Sequence, residues 1–469
     1  MALPHIFSAT VLSKNVVTAA TKPSVERLPF SNLDLLFPEN MTLSAYFCYE
    51  KHSSISTNEK TVTDVLKESL AQILNSYHVF AGEVVSNSMG EPELLCNNQG
   101  VDFSHAYADL ELQELDHSYP DITVQGKLVP TIKRAVLSVQ VTEMRCGGHV
   151  LGCTFNHQVA DAYSANMFFL SWAECAKSIA SMSYTPVFQR SLLNPRKPGH
   201  HDSCADNWYH PVQPLNGHKN KEKSQKGRYR RRTFYVEAQV INRLQAMATS
   251  GDEYRTKYES LVAYLWKFLA ESVGDNNNTF KISIAVDGRT RLYEEGDPKA
   301  SMMHNYFGNV VSTPYSEASV GELKAMPLTK VADTIHKLKV DATTPEHFFS
   351  VIDWVQEKRP KKVIPKFLLG KSKEGTVVLV SSGMRFPVSM IDFGWGKPIF
   401  GSYYFPCGDE IGYVMPMPSV RREGDWVVFM HLQGNQMAAI ERDAAHVFRP
   451  LHPSYINGLM INSHDHAQC

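Results

Sequence analysis

The 469-residue chain has no stretch approaching the roughly 18 uninterrupted apolar residues that a membrane-crossing helix needs, so no membrane span is expected. Its first residues, MALPHIFSATVLSKNVV, lack the basic segment and long apolar core of a secretory leader. Its last, HDHAQC, form neither a peroxisomal tripeptide nor a prenylation box. A cytoplasmic protein is the resulting expectation. Neither sign of charge dominates: Lys+Arg number 47 and Asp+Glu 48, which argues against nucleic acid or an anionic membrane as the main partner. The eight cysteines (Cys48, Cys96, Cys146, Cys153, Cys175, Cys204, Cys407 and Cys469) are scattered and make no CxxC pair, which fits reduced, mostly buried thiols better than a disulfide framework or a zinc site. There is no GxGxxG or P-loop, so nicotinamide and nucleoside-triphosphate chemistry are not expected. A GxSxG elbow is lacking, which leaves a serine hydrolase without its nucleophile. No repeat recurs at a fixed period.

What the chain has is length and apolar content. Hydrophobic residues make up 43% of a chain too long for one ordinary domain, which predicts two domains with sizeable cores. Residues 60–76 place Val65, Leu66, Leu70, Ile73 and Leu74 at helical spacing, and 135–142 and 149–155 read as strands before a helix at 162–177. Composition then changes. From Arg190 to about Arg232 the chain carries Pro195, Pro198, Pro211 and Pro214, keeps no apolar period and ends in the basic run KNKEKSQKGRYRRR. This reads as an inter-domain crossover. The predicted division is 1–189, a crossover at 190–230, and 231–469, with the segment at about 380–405 packing against the first domain. Strands and helices mix in both halves, so the class is α/β or α+β.

Three His-x-x-x-Asp pairs occur: His105–Asp109, His117–Asp121 and His157–Asp161. Chance alone places about one in a chain with 19 histidines, so context must choose. The first two lie in the acid-rich VDFSHAYADLELQELDHSYPD and are expected in an exposed loop. His157 ends an apolar strand and precedes a helix, a position that aims a side chain into a cleft. Asp161 falls at that helix's N-cap, where a carboxylate satisfies first-turn amides. A buried, hydrogen-bonded structural histidine is the competing reading. A local Cys153–His157 dyad is excluded, since four strand residues span roughly 13 Å. A metal on His157 and Asp161 lacks a nearby third ligand. The loop cluster His200, His201, Cys204 and His210 lacks zinc spacing, so no metal is expected.

Three further segments decide between these readings: VDGRTRL (286–292), NYFGNVVSTP (305–314) and DFGWGKP (392–398). HxxxD, YFGN and DFGWG in this order and spacing resemble the plant BAHD acyltransferase family over essentially the whole chain. SNLDLLFP, GEPELLCNNQGVDFSHAYADLEL, RSLLNPRKP and GYVMPMPS look like its coniferyl alcohol acyltransferase subgroup. The resemblance implies the two-domain CoA-dependent acyltransferase fold, with mixed sheets, flanking helices, a channel between the domains and a monomeric state. It implies acyl transfer from acyl-CoA, a co-substrate and not a bound cofactor, to a small aromatic alcohol. An amine acceptor is the alternative, as is a non-catalytic scaffold.

Site residues follow from the same resemblance. His157 is the base and Asp161 its structural or orienting neighbour. Ser381 of SSGMRFP matches the family's oxyanion-stabilising hydroxyl. Gly383 stands where the family usually has tryptophan, which predicts a roomier acceptor pocket. Asn309 and Gly308 shape the channel wall, and Lys257 contacts CoA. Asp392 and Arg289 form the family's structural ion pair, with Gly394, Trp395 and Gly396 in the same structural motif and Phe393 packing beside them.

Overall fold

The computed structural model describes residues 6–21, 24–51, 60–132, 135–179, 182–201, 203–212, 229–251, 253–272, 275–368, 376–405 and 411–455. Two mixed sheets organise it. The first has six strands in the order Ala9–Val17, Val101–Ala108, Leu137–Met144, His149–Asn156, Thr42–Tyr49, Phe400–Tyr404. Its last strand comes from the far half of the chain and runs antiparallel to Thr42–Tyr49, with Gly401 opposite Phe47. The second has seven, in the order Tyr315–Ser319, Thr279–Ile284, Thr376–Val380, Gly412–Pro418, Trp426–Gln433, Tyr229–Val236, Arg449–Pro450. Each sheet supports its own apolar core.

The elements form where local chemistry favours them. The helix Val62–Ile73 starts at Thr61, whose hydroxyl accepts from the Asp64 amide at 3.2 Å, while the Asp64 carboxylate takes the Thr61 amide. Leu66, Leu70 and Ile73 then fall on one buried face. That face meets the helix Ala162–Ala176, where the Trp172 indole donates to Ser69 Oγ at 3.0 Å. The second sheet is covered by Ala238–Ala248, Lys257–Glu271 and Leu328–Ala342, each amphipathic.

The crossover is more ordered than a polar, proline-punctuated stretch suggests. It holds a turn at Arg190–Leu193, a short helix Ser203–Trp208 and a strand Tyr209–Pro211 paired with Val363–Pro365. Arg196 anchors it through Asp353, an almost fully buried carboxylate at 2.7 Å. Most of the basic run, residues 219–228, lies outside the described residues, as do Cys407, Cys469 and the Cys204 side chain.

Candidate active site

His157 follows the strand His149–Asn156 and opens the turn into Ala162–Ala176. Its amide donates to Met41 O at 2.8 Å, which fixes the backbone. The ring is 8% exposed, stacks on Phe37 with centroids 4.3 Å apart, and meets the edge of Phe405 at 6.2 Å. Nδ1 lies 3.2 Å from Asn309 Oδ1. Asn309 Nδ2 donates to the carbonyls of His157 (2.9 Å) and Gln158 (3.0 Å) and to Asp34 Oδ1 (2.9 Å). With the amide nitrogen facing three acceptors, the amide oxygen must face the imidazole. It can only accept, so Nδ1 carries the proton and Nε2 keeps its lone pair. Burial pushes the imidazole pKa below the ordinary histidine value, against the opposing pull of its hydrogen bonds and of Asp161 and Asp34. The ring is therefore neutral at neutral pH.

Asp161 does not orient that ring. One oxygen accepts the Ser164 amide at 2.9 Å as the helix N-cap, and the other accepts Val310 N at 3.1 Å. Both oxygens also pair with Arg289, at 2.8 and 3.1 Å. Arg289 is 1% exposed and also donates to the part-exposed Asp287 carboxylate at 3.1 Å, to Ser164 Oγ and to the Tyr306 and Gly308 carbonyls. The predicted Asp392–Arg289 pair is thus corrected: the buried partner of Arg289 is Asp161, with part-exposed Asp287 beside it, because a cation buried this deeply needs a buried anion. Asp392 is part-exposed. It accepts the Gly394 and Gly396 amides at 2.8 and 2.9 Å and lies 3.8 Å from Lys177. Both glycines adopt φ of +108°, which a side chain would strain. This turn sets Phe393 and Trp395 parallel, 5.5 Å apart, against Tyr49 and Trp172.

The other expected site residues divide. Asn309 is fully buried and bonds His157, so it backs that ring and lines no open wall. Ser381 is half-buried and follows the strand Thr376–Val380, its amide bonded to Val414 O at 2.9 Å. One strand over, Tyr413 stacks on Phe405 at 4.4 Å, and Phe405 faces His157, so aromatic contacts link the strand end to His157. Gly383 does not open space. A Cβ there would lie 2.6 Å from Met417 Cγ and 3.1 Å from Met415 Cε, so methionines of the adjacent strand fill that direction. Lys257 is the first residue of the helix Lys257–Glu271, and its neighbour Tyr258 donates to Val380 O at 2.9 Å, beside Ser381.

The model of the Transferase family matches residues 7–447. The chain belongs to the plant BAHD acyltransferase family. Among BAHD and related proteins it is 26% identical to shikimate O-hydroxycinnamoyltransferase of Nicotiana tabacum, over 92% of this chain and 98% of that one. It is 30% identical to anthranilate N-benzoyltransferase protein 1 of Dianthus caryophyllus, over 72% and 76%. Vinorine synthase shares the fold at a TM-score of 0.69 and 17% identity, over 94% of this chain and 99% of that one. TRI101 of F. graminearum, solved with coenzyme A and T-2 mycotoxin, does so at 0.71 and 13%, over 90% and 99%.

The remaining two histidine pairs of this BAHD member both depart from the exposed loop expected for them. His105 lies on the strand Val101–Ala108, 3.9 Å from Glu143. His117 was expected in an exposed loop but is 1% exposed. Its ring packs 4.0 Å from Phe400 and its Nδ1 meets Tyr46 OH at 3.1 Å, because apolar Leu115 and the first sheet draw the turn inward despite its acidic neighbours. Asp121 reaches across to the second sheet and accepts Arg231 N and Nη1 at 2.9 and 2.7 Å. His201 bonds Glu357 at 2.6 Å, and His200 offers its amide to Asp353. A cavity of about 830 Å³ opens there, lined by Arg196, His201, Asp353 and Glu357 and not by the residues around His157. One trio missed in the sequence, Glu26, His78 and Cys96, brings its ligand-type atoms within 4.8 Å. Glu26 holds His78 at 2.7 Å, and burial pushes the Cys96 thiol up to about 12. Among the described residues, no helix is long and apolar enough to cross a membrane.

The residues around His157 that sequence reasoning overlooked are Asp34, Phe37 and Phe405. The first two lie in SNLDLLFP, where Ser31 and Asp34 at a spacing of three carry a local turn signal.

Proposed function

We propose that this protein transfers an acyl group from an acyl-CoA to the hydroxyl of a small aromatic alcohol, of the phenylpropenyl type that coniferyl alcohol represents. The observation that carries this reading is the engaged Nδ1 of a buried, neutral His157, which leaves Nε2 as a base. The alcohol gives its proton to Nε2 as its oxygen attacks the thioester carbonyl. The tetrahedral oxyanion that forms is met by the Ser381 hydroxyl. Its collapse breaks the C–S bond, and the imidazolium returns the proton to the departing thiolate, so His157 ends neutral. Phe37 and Phe405 put aromatic surface beside the base, which suits an aromatic acceptor. Lys257, at the start of its helix, supplies a cation for CoA phosphates. The likeness to shikimate O-hydroxycinnamoyltransferase favours an oxygen acceptor and an aromatic acyl donor. The likeness to anthranilate N-benzoyltransferase supports an amine as the second reading, since Nε2 serves either nucleophile.

The test is a panel of acetyl-, benzoyl- and hydroxycinnamoyl-CoA with aromatic alcohols and amines, read by thiol release and product mass, with His157→Ala beside the wild type. Ester formation that falls by about 10²–10⁴ in the variant supports the reading. A variant as active as wild type overturns the base assignment, and exclusive amide formation moves the assignment to the amine.

A further inference from the structure

Asp34 is a carboxylate with no exposure to solvent, set in the turn Asp34–Leu36, and the acyl-transfer chemistry above makes no use of it. Burying a charge is costly unless it is fully hydrogen-bonded. Here Oδ2 takes the Ser31 amide and hydroxyl at 2.8 and 2.7 Å, and Oδ1 takes the Asn309 amide and Nδ2 at 2.7 and 2.9 Å. Two of the four donors are therefore local. The other two belong to the residue that faces the base, 275 positions away in sequence. Asn309 bonds Asp34 on one side and His157 on the other.

We propose that Asp34 is a positioning residue for the reaction, acting on His157 through Asn309. It holds the asparagine amide in the one orientation that presents its oxygen to Nδ1, and so selects the tautomer with a free Nε2. Its negative charge lies behind that amide and favours the imidazolium formed when Nε2 takes the acceptor's proton. The proposal rests on His157 being the base. Turned over, the asparagine would set its oxygen against Asp34 and two carbonyls, and its NH₂ against Nδ1, which would then have to be unprotonated. Asp34 makes that alternative repulsive. The charged groups around the ring are Asp34 and Asp161, with Arg289 on Asp161 and Arg190 beside Asp34. Of these, Asp34 is the one joined to the ring by a continuous hydrogen-bond path.

Asp34→Asn tests this in the full-length enzyme with the best substrate pair from the panel. The expected result is a kcat lower by about 10²-fold, since a misoriented base forfeits much of the 10²–10⁴ that such a base contributes. KM for both substrates should stay within about twofold. The acid limb of the pH–kcat/KM profile should move to lower pH, because a contribution raising the imidazole pKa is gone. A kcat within about twofold of wild type, or a loss of kcat with an unmoved acid limb, overturns the proposal and makes Asp34 a loop anchor. His157→Ala separates the two readings: if it keeps full activity, the base assignment fails whatever Asp34 does. Should Asp34→Asn not fold, ¹⁵N NMR of histidine-labelled wild type decides, with the His157 signals identified by their loss in His157→Gln. A proton on Nδ1 supports the proposal and a proton on Nε2 overturns it.

Discussion

A single methyl group at residue 383 is a sensitive probe of the ground behind Ser381. The Cβ of Gly383→Ala would meet Met417 Cγ at 2.6 Å and the Pro416 carbonyl at 3.1 Å. The methionine can move but the carbonyl cannot. Overpacking of this kind costs about 1–3 kcal/mol, so thermal unfolding should fall by several degrees. Gly383→Ala combined with Met417→Ala should recover part of the loss. If Gly383→Ala is neutral, the strand edge is loose, and acceptor preference must be sought elsewhere. This outcome bears on how a residue was read. Gly in place of an aromatic suggested empty volume, but volume belongs to neighbours, and Met415 and Met417 arrive from a strand some thirty residues later. A sequence shows what a residue lacks and not what fills the gap. His117 was misjudged for the same reason: its acidic neighbours in sequence are not its neighbours in space.

At the scale of elements, two loops that both contain an aspartate contribute differently. Asp161 closes the N-terminus of Ala162–Ala176 and neutralises Arg289, so it joins a first-half helix to the 286–310 region. Arg289→Ala leaves the Asp161 charge buried without its cation, at an expected 3–5 kcal/mol. Asp392→Ala removes two turn hydrogen bonds and a part-exposed ion pair, and about 1–3 kcal/mol is expected. The melting temperature of Arg289→Ala should therefore lie well below that of Asp392→Ala, and kcat per folded molecule of Asp392→Ala should stay near wild type. The reverse order would mean that the aromatic stack around Trp395 carries more of the fold than the ion pair does. Helices such as Val62–Ile73 and Lys257–Glu271 were legible because their apolar period and caps are local. The strand before His157 and the cap at Asp161 were legible for the same reason. The partner of Arg289 was not, since choosing between Asp161 and Asp392 requires knowing which carboxylate is buried. Asp34 was hidden too, its two long-range bonds running to a residue that only the fold brings near.

The molecule as a whole spreads its buried histidines over both halves, and this sets its response to acid. Burial holds the His117 pKa at about 3 in the first sheet's core and the His347 pKa at about 4 beside Ser312. Burial also lowers those of His149 and His157. In the unfolded chain each takes a proton near the ordinary histidine value of about 6.5. Above that pH both states are neutral and the full stability is present. As pH falls below it, only the unfolded chain gains protons, so stability is lost continuously until the folded pKa values are reached. For His117 or His347 the loss at pH 5 is about 2 kcal/mol each, from a gap of about 1.5 pH units at about 1.4 kcal/mol per unit. Carboxylates held low, such as Glu259 at about 2, begin to matter only below the ordinary carboxylate range, so in the interval from pH 6.5 to 5 the buried histidines carry the loss, opposed by Asp425, whose carboxyl burial pushes up. Denaturant unfolding across that interval should show stability falling with pH. His117→Phe should make the slope shallower, by up to about 1.4 kcal/mol per unit at the acid end of the interval, whatever it does to the value at pH 7.5. An unchanged slope would mean that His117 takes up its proton in the folded state, and that the packing between the first sheet and Phe400 opens to admit it.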